Sequence, residues 1–313
     1  VNSLFPSSLQ QSESHLLLEI EDLVSDINRY PVPEWMKPSL TRRLAVIVER
    51  LMNDLPRLCS VYQADMEYTA TIDAFWIACL RFDLIGIHGF TGYPLTYAVI
   101  RNLCADIARH GSGDAFRQQQ LIRLSQVQKN QRELQGYVAE ILQRYSKTLV
   151  VRVDLSIVQQ YQQHIDIVQF RVFWRRFCRK MEDTGIFRDK LGFIWCIEQG
   201  RTKGYHIHLA LFYAGRAHRS GWFMARECIR IWQAITNGMG YGFNCHDSNY
   251  LDVYREKGTL GVEMIHRDNF DQVQHCIRTL SYLADPDKEG QYLRVRPRGM
   301  RVFGKGTAEA RSV

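Results

Sequence analysis

The sequence predicts an α+β fold in two parts. A mainly helical region covers residues 1–146, an antiparallel sheet with helices on one face covers 147–306, and 307–313 form a tail. Three observations carry this expectation. Apolar residues recur at helical spacing from Leu40 to about Tyr145. The period switches to strict alternation after Lys147. Two alternating runs, Phe193 to Glu198 and Tyr205 to Leu211, flank the turn-forming segment Gly200-Arg201-Thr202-Lys203-Gly204.

Each element follows from its own pattern. Residues 1–30 read as loosely helical, and RYPVPEWMKPS, with prolines at 31, 33 and 38, reads as a hinge. The segments LTRRLAVIVERLMNDL, LTYAVIRNLCADIARHG and RQQQLIRLSQVQKNQRELQGYVAEILQRY read as helices. TLVVRVDLS (148–156) alternates, with Leu149, Val151, Val153 and Leu155 on one face and Arg152 and Asp154 on the other. Residues 166–185 form an amphipathic helix, and the hairpin strands follow. A helix from about Ser220 to Thr236, an irregular Gly/Tyr/Asn stretch, a strand over 260–266 and a helix over 269–285 complete the core pattern. The order from 148 to 266 is β-α-β-β-α-β, the split β-α-β arrangement of ferredoxin-like and RRM-like sheets. Two helices then cover the face of Phe193, Trp195, Ile197, Ile207 and Leu209. The opposite, open face takes Glu198, His206, His208, Arg152 and Asp154.

Composition narrows the functional classes. A hydrophobic content of 46% in 313 residues supports a sizeable core. The most apolar window, Ala74 to Phe90, is broken by Arg81 and Asp83, which argues against a membrane span. The first twenty residues lack the basic region and small-residue cleavage site of a secretory signal. The eight cysteines contain no CxxC pair, as expected of reduced thiols in a cytoplasmic protein. Residues 1–148 carry 15 Lys/Arg against 16 Asp/Glu, whereas 149–313 carry 25 against 17. The second half is therefore net +8, which suits a polyanionic partner. A solvated basic surface has the same composition.

The hairpin supplies the chemistry. A turn centred on Thr202 sets Glu198 directly across from His206 and Cys196 across from His208. Opposed side chains on one face lie roughly 5 Å apart. One carboxylate and two imidazoles suit a divalent cation such as Mg²⁺, Mn²⁺ or Zn²⁺ and leave coordination positions for substrate oxygens. Cys196 reads as a small core residue. On the helix at 269–285, Val273, Ile277, Leu280 and Ala284 form the apolar stripe, while His275, Arg278, Tyr282 and Asp285 form a polar one. A tyrosine there is either a phenolic nucleophile or a half-buried hydrogen-bond donor. Arg294, Arg296, Arg298, Arg301 and Lys305 place five cations in a short C-terminal stretch, a phosphate-tracking segment or a solvated tail.

The His-hydrophobic-His strand, the upstream acid and the downstream helical tyrosine together resemble the HUH endonuclease superfamily of rolling-circle initiators, relaxases and single-strand transposases. TLVVRVDLS sits at the family's first-strand motif, EQGRTKGYHIH at its Glu-x7-His-hydrophobic-His motif, and LSYLAD at its Tyr-x-x-Lys motif. More narrowly, YLAD followed by RPRGMRVFGKG resembles the inovirus gene-product-two and prophage initiator-like family. The resemblance spans about residues 147–306. It implies metal ligation by Glu198, His206 and His208, with Mn²⁺ or Mg²⁺ as cofactor. It also implies a single nucleophile, Tyr282, that nicks and rejoins DNA through a 5′-phosphotyrosine to start rolling-circle replication of a phage or mobile element. Asp285 stands where the motif has lysine, so that lysine's role falls to Lys288, to Arg278 or to no residue. Single-stranded and origin DNA, contacted by Arg152 and the C-terminal cations, are the implied partners in a bacterial cytoplasm, with host replication proteins beside them. Residues 1–146 would then bind duplex DNA or mediate assembly. The alternatives are a transposase or mobilisation relaxase of the same superfamily, or a non-catalytic RRM-like module that reads nucleic acid with aromatic side chains.

Overall fold

The computed structural model describes residues 11–183, 185–284 and 290–306. The chain is of mixed α+β architecture and divides into two compact units. One holds the chain up to Leu124 together with Arg294–Met300. The other holds Ser125–Leu293 and the chain from Arg301 onward.

The first unit is mainly helical: α1 (Glu13–Asn28), α2 (Val32–Trp35), α3 (Arg42–Leu58), α4 (Ala70–Arg81) and α5 (Tyr97–Ser112), with short strands β1 (Met66–Tyr68), β2 (Ile85–Gly86) and β3 (Gly89–Phe90). Ser12 and Thr96 cap α1 and α5 by accepting the amides of His15 and Val99, which satisfies donors that open every helix. Apolar stripes such as Leu44, Val48, Leu51 and Leu55 of α3 are fully buried. RYPVPEWMKPS is not an open hinge. Its prolines start the one-turn helix α2, and Trp35 is wholly buried with its ring edge-on to Tyr30.

Helix α6 (Asp114–Arg144) leads into β4 (Lys147–Ile157), α7 (Ile167–Asp183), β5 (Lys190–Gly200), β6 (Gly204–Ala214), α8 (Gly221–Ile235) and β7 (Gly240–Asn244). Then come α9 (Ser248–Glu256), β8 (Glu263–His266) and α10 (Phe270–Ser281), with β9 (Val295–Pro297) pairing with β1 in the first unit and β10 (Phe303–Lys305) ending the sheet. The sheet runs β10-β5-β6-β4-β7, every pair antiparallel, and β8 shares the outer edge of β4 with β7. The stretch read as irregular is thus the edge strand β7, followed by the unanticipated helix α9. The glycines of β7 explain the misreading. Gly240 and Gly242 dilute the strand signal, yet a Cβ at either would meet Trp232 or Ile229 of α8 at under 3 Å.

On one face of the sheet α7 and α8 pack as expected, through Phe170, Phe173, Trp174 and Phe177 of α7 and the Trp232 ring of α8. The indole N–H of Trp232 donates to the Ser156 carbonyl at 2.7 Å. The opposite face is not left open along its whole length, which corrects the expectation of helices on one face only. Val150, Ile194, Ala210 and Phe212 make half of it apolar. These are buried under Leu134, Val138, Ile141 and Leu142 of α6 and Cys276 and Leu280 of α10. Only the other half, beyond Arg152, keeps its polar groups clear of that cluster.

Candidate metal centre

The hairpin has the register expected from its turn. Glu198 pairs with His206, Cys196 with His208, and Gly200 with Gly204 around a three-residue loop. Gly204 has φ +60°, a left-handed conformation suited to glycine at the end of such a loop. Across β6, Ser156 pairs with His206 and Asp154 with His208. One face of three strands therefore presents a carboxylate, two imidazoles and a second carboxylate side by side.

The donors converge. Nε2 of His208 lies 3.2 Å, and Nε2 of His206 3.5 Å, from Glu198 Oε2. Ligand atoms of the three residues all fall within 4.8 Å of one another. The far nitrogens are both engaged. His208 Nδ1 sits 2.6 Å from Asp154 Oδ1, and His206 Nδ1 lies 3.1 Å from the Gly204 carbonyl. Such partners fix the ring orientation and turn each Nε2 inward, as supporting groups do behind metal-bound histidines. The Gln291 amide oxygen adds a neutral acceptor 3.2 Å from His206 Nε2. Glu198 is fully buried, and its Oε1 is a buried oxygen with no hydrogen-bond partner among the described residues. A buried carboxylate oxygen left bare is costly. A divalent cation beside it would satisfy that oxygen, so the donor set fits a metal.

Electrostatics favour charged carboxylates. Burial alone would raise the Glu198 pKa, but hydrogen bonds to His206 and His208 bring it down to about 2. Burial likewise opposes ionisation of Asp154, yet His208, Arg152 and Lys203 hold it well below the usual carboxylate range. For His208, burial disfavours the imidazolium, but Asp154 and Glu198 outweigh it and raise the pKa.

A model of the YagK/YfjJ C-terminal domain matches residues 119–306, more than half of the chain. The chain belongs to the YagK/YfjJ C-terminal domain family. No curated protein and no solved structure matches it. The hairpin, its two histidines, Asp154 and α10 all lie within this YagK/YfjJ domain.

Other residues singled out in the sequence fall at varied distances from this centre. Tyr282 is not inside a helix: α10 ends at Ser281, and Tyr282 is its C-cap and opens the 3-10 turn Tyr282–Ala284. That turn lies against β5, the strand of Glu198, and Tyr282 is 44% exposed. Arg278 is exposed on α10, whereas Asp285 and Lys288 lie outside the described residues. Arg152 is mostly buried, 3.7 Å from Asp154. The C-terminal cations do not form one free stretch. Arg294 is buried against Glu21, Arg296 pairs with Glu67 at 2.9 Å, and Lys305 reaches Glu133 at 3.6 Å over the Tyr137 ring. Arg298 and Arg301 are exposed.

Three features of the YagK/YfjJ domain were not singled out in the sequence. Gln291 follows α10 in a segment without periodicity. His246 accepts the Arg152 amide at 3.0 Å through Nε2, a contact between residues 94 positions apart. Tyr241 and Phe243 of β7 share the face of the histidines, because they pair with Ser156 and Asp154. Their alternation, Tyr-Gly-Phe, was the available signal.

Proposed function

We propose that this protein is a metal-dependent, single-tyrosine endonuclease of the HUH type that nicks and rejoins single-stranded DNA. Its role would be to initiate rolling-circle replication of a phage or mobile element. The single observation that carries the reading is the convergence of His206 Nε2, His208 Nε2 and Glu198 Oε2 on one sheet face. The strand order β7-β4-β6-β5 adds support. Helix α7 carries the chain from β4 past β6 to β5, in keeping with a ferredoxin/RRM-like split β-α-β sheet.

A divalent cation, Mn²⁺ or Mg²⁺, held by Glu198, His206 and His208 would polarise the scissile phosphodiester. Asp154 and the Gly204 carbonyl keep the two imidazoles turned toward it. The Tyr282 oxygen attacks phosphorus and the bond to the 3′ oxygen breaks. The phenolic proton ends on that oxygen, leaving a free 3′-hydroxyl and a 5′-phosphotyrosine. Because a phenolate leaves readily, the reverse attack by a 3′-hydroxyl rejoins the strand.

The test is incubation with single-stranded oligonucleotides of varied sequence and Mn²⁺, scoring a denaturation-resistant protein–DNA adduct. Wild type should form it, and the His206→Ala/His208→Ala double variant should not. Absence of an adduct with every substrate would hand the lead to a non-catalytic nucleic-acid-binding module.

A further inference from the structure

Two rows of side chains cross the sheet on the face of the metal centre. One runs Glu198, His206, Ser156, Tyr241, and the other runs Cys196, His208, Asp154, Phe243. Each row ends in an aromatic ring on the edge strand β7, two strand spacings from an imidazole, or roughly 10 Å. Tyr241 is 52% exposed, although its neighbours on the face, Ser156 and His206, are buried. Phe243 is braced edge-on by Tyr250 at 5.1 Å, and Tyr250 in turn meets Tyr254 at 5.0 Å, their hydroxyls 3.2 Å apart. These rings are pre-positioned by the backbone of β7 and by α9. Tyr241 stands apart from that cluster, two residues and roughly 7 Å from Phe243 along the strand. Half-exposed, it has no aromatic partner among the described residues.

We propose that Tyr241 and Phe243 form a base-stacking ledge for single-stranded DNA, holding the nucleotides that flank a phosphate at the metal centre. The inference rests on the nuclease reading of that centre. It adds a substrate subsite and a reason for single-strand preference, since bases must be unpaired to stack on protein rings. The charge pattern agrees with this occupant. Lys203 is half exposed beside Asp154, 3.9 Å from its carboxylate, at the same end of the sheet as the ledge. An acidic peptide would find the same cation but no use for rings set two residues apart. A phosphodiester strand carries both a charge for Lys203 and π-faces for the ledge.

Affinity measured in EDTA isolates the ledge from the metal. Fluorescence anisotropy with labelled oligothymidylate should show Tyr241→Ala weakened roughly 5- to 100-fold, the range of one lost base–aromatic stack. Tyr241→Phe should bind like wild type, because the ring and not the hydroxyl does the stacking. An abasic oligonucleotide of equal length should bind wild type and Tyr241→Ala alike. The ledge is overturned if Tyr241→Ala matches wild type on oligothymidylate, if its loss persists on the abasic strand, or if duplex DNA shows the same dependence on Tyr241. Adduct formation with Mn²⁺, scored in parallel on wild type, separates the two readings. Tyr241-dependent binding without an adduct keeps the ledge and removes the nickase. An adduct with Tyr241-independent binding removes the ledge alone.

Discussion

Asp154 and His208 meet at 2.6 Å, carboxylate oxygen to Nδ1, across the β4–β6 pair that places them directly opposite one another. The contact leaves Nε2 of His208 facing Glu198. Asp154→Asn keeps the shape but replaces a charged acceptor by a neutral amide that can flip its N–H₂ toward the ring. Manganese affinity should fall about 10- to 100-fold, the usual cost of removing the group behind a metal-bound histidine. Titration followed by electron paramagnetic resonance reads this directly, and an unchanged affinity would remove Asp154 from the centre.

Glu198 tests the centre itself. Manganese at a hundred times its dissociation constant should stabilise wild type by about 2.7 kcal/mol, because the ion binds only the folded site. Glu198→Gln loses the charge whose Oε1 has no hydrogen-bond partner among the described residues, so its melting temperature should not respond to the ion. A manganese-dependent shift of the same size in Glu198→Gln would place the ion elsewhere.

Much of this centre was legible in the sequence because a strand has period two and a short hairpin fixes its own register. Once Gly200 and Gly204 bracket the turn, Glu198 must face His206. The polar face could be read for the same reason, and Arg152 and Asp154 fall on it. What could not be read depends on contacts distant in sequence. Nothing local marks Gln291 as a neighbour of His206, 85 residues away, or His246 as the acceptor for the Arg152 amide. The second cover of helices was also hidden, because α6 is largely polar and its apolar residues are scattered along its length, whereas only those from Leu134 onward are buried. The Arg-rich C-terminal stretch misled for a related reason. Composition counts a cation without showing whether an acid far away already holds it.

Arg294 illustrates that point and yields a stability test. Its guanidinium is 3% exposed and grips Glu21, with Nε at 2.7 Å. Removing one partner of a buried ion pair strands the other, at about 3–5 kcal/mol. Arg294→Ala should lose stability on that scale in urea unfolding followed by circular dichroism. Exposed Arg298→Ala and Arg301→Ala should stay within about 0.5 kcal/mol of wild type. Equal stability of all three variants would return Arg294 to the set of free cations.

His246 sets an acid limit on stability. Burial pushes its pKa down to about 4, whereas an unfolded histidine titrates near pH ~6.5. Between those values the unfolded chain binds a proton that the folded chain refuses. Stability from this group is therefore complete above pH ~6.5 and falls by about 3 kcal/mol as pH drops toward 4. His208 works in the opposite sense when no cation is present. Its raised pKa contributes stability below pH ~6.5 that is lost as pH climbs through the folded value. Glu198 acts lower still, its contribution fading as pH falls from ~4.3 toward 2. His246→Gln keeps an acceptor for the Arg152 amide without a titrating ring. Its stability should be flatter than wild type between pH 6.5 and 4, and an identical slope would assign that window to other groups.

Tyr282 separates the endonuclease from a binding module most sharply. It caps α10 at the point where the chain enters the 3-10 turn against β5, so the backbone that carries it is anchored by buried Leu280 and Leu283. The ring is 44% exposed, and Tyr282→Phe removes a single oxygen. Stability should change by less than about 0.5 kcal/mol, and affinity for oligothymidylate should hold, because no base-stacking ring is altered. The covalent adduct should vanish. Tyr250 is a poor substitute nucleophile, since burial pushes its pKa up and its hydroxyl already meets that of Tyr254. Tyr241 is exposed and on the same face, so it is the competitor that matters. Peptide mass spectrometry of the trapped adduct distinguishes them. DNA attached at Tyr282 in wild type and no adduct in Tyr282→Phe is the expected pair of results. DNA attached at Tyr241 would transfer the nucleophile to β7 and turn the ledge into the reacting site.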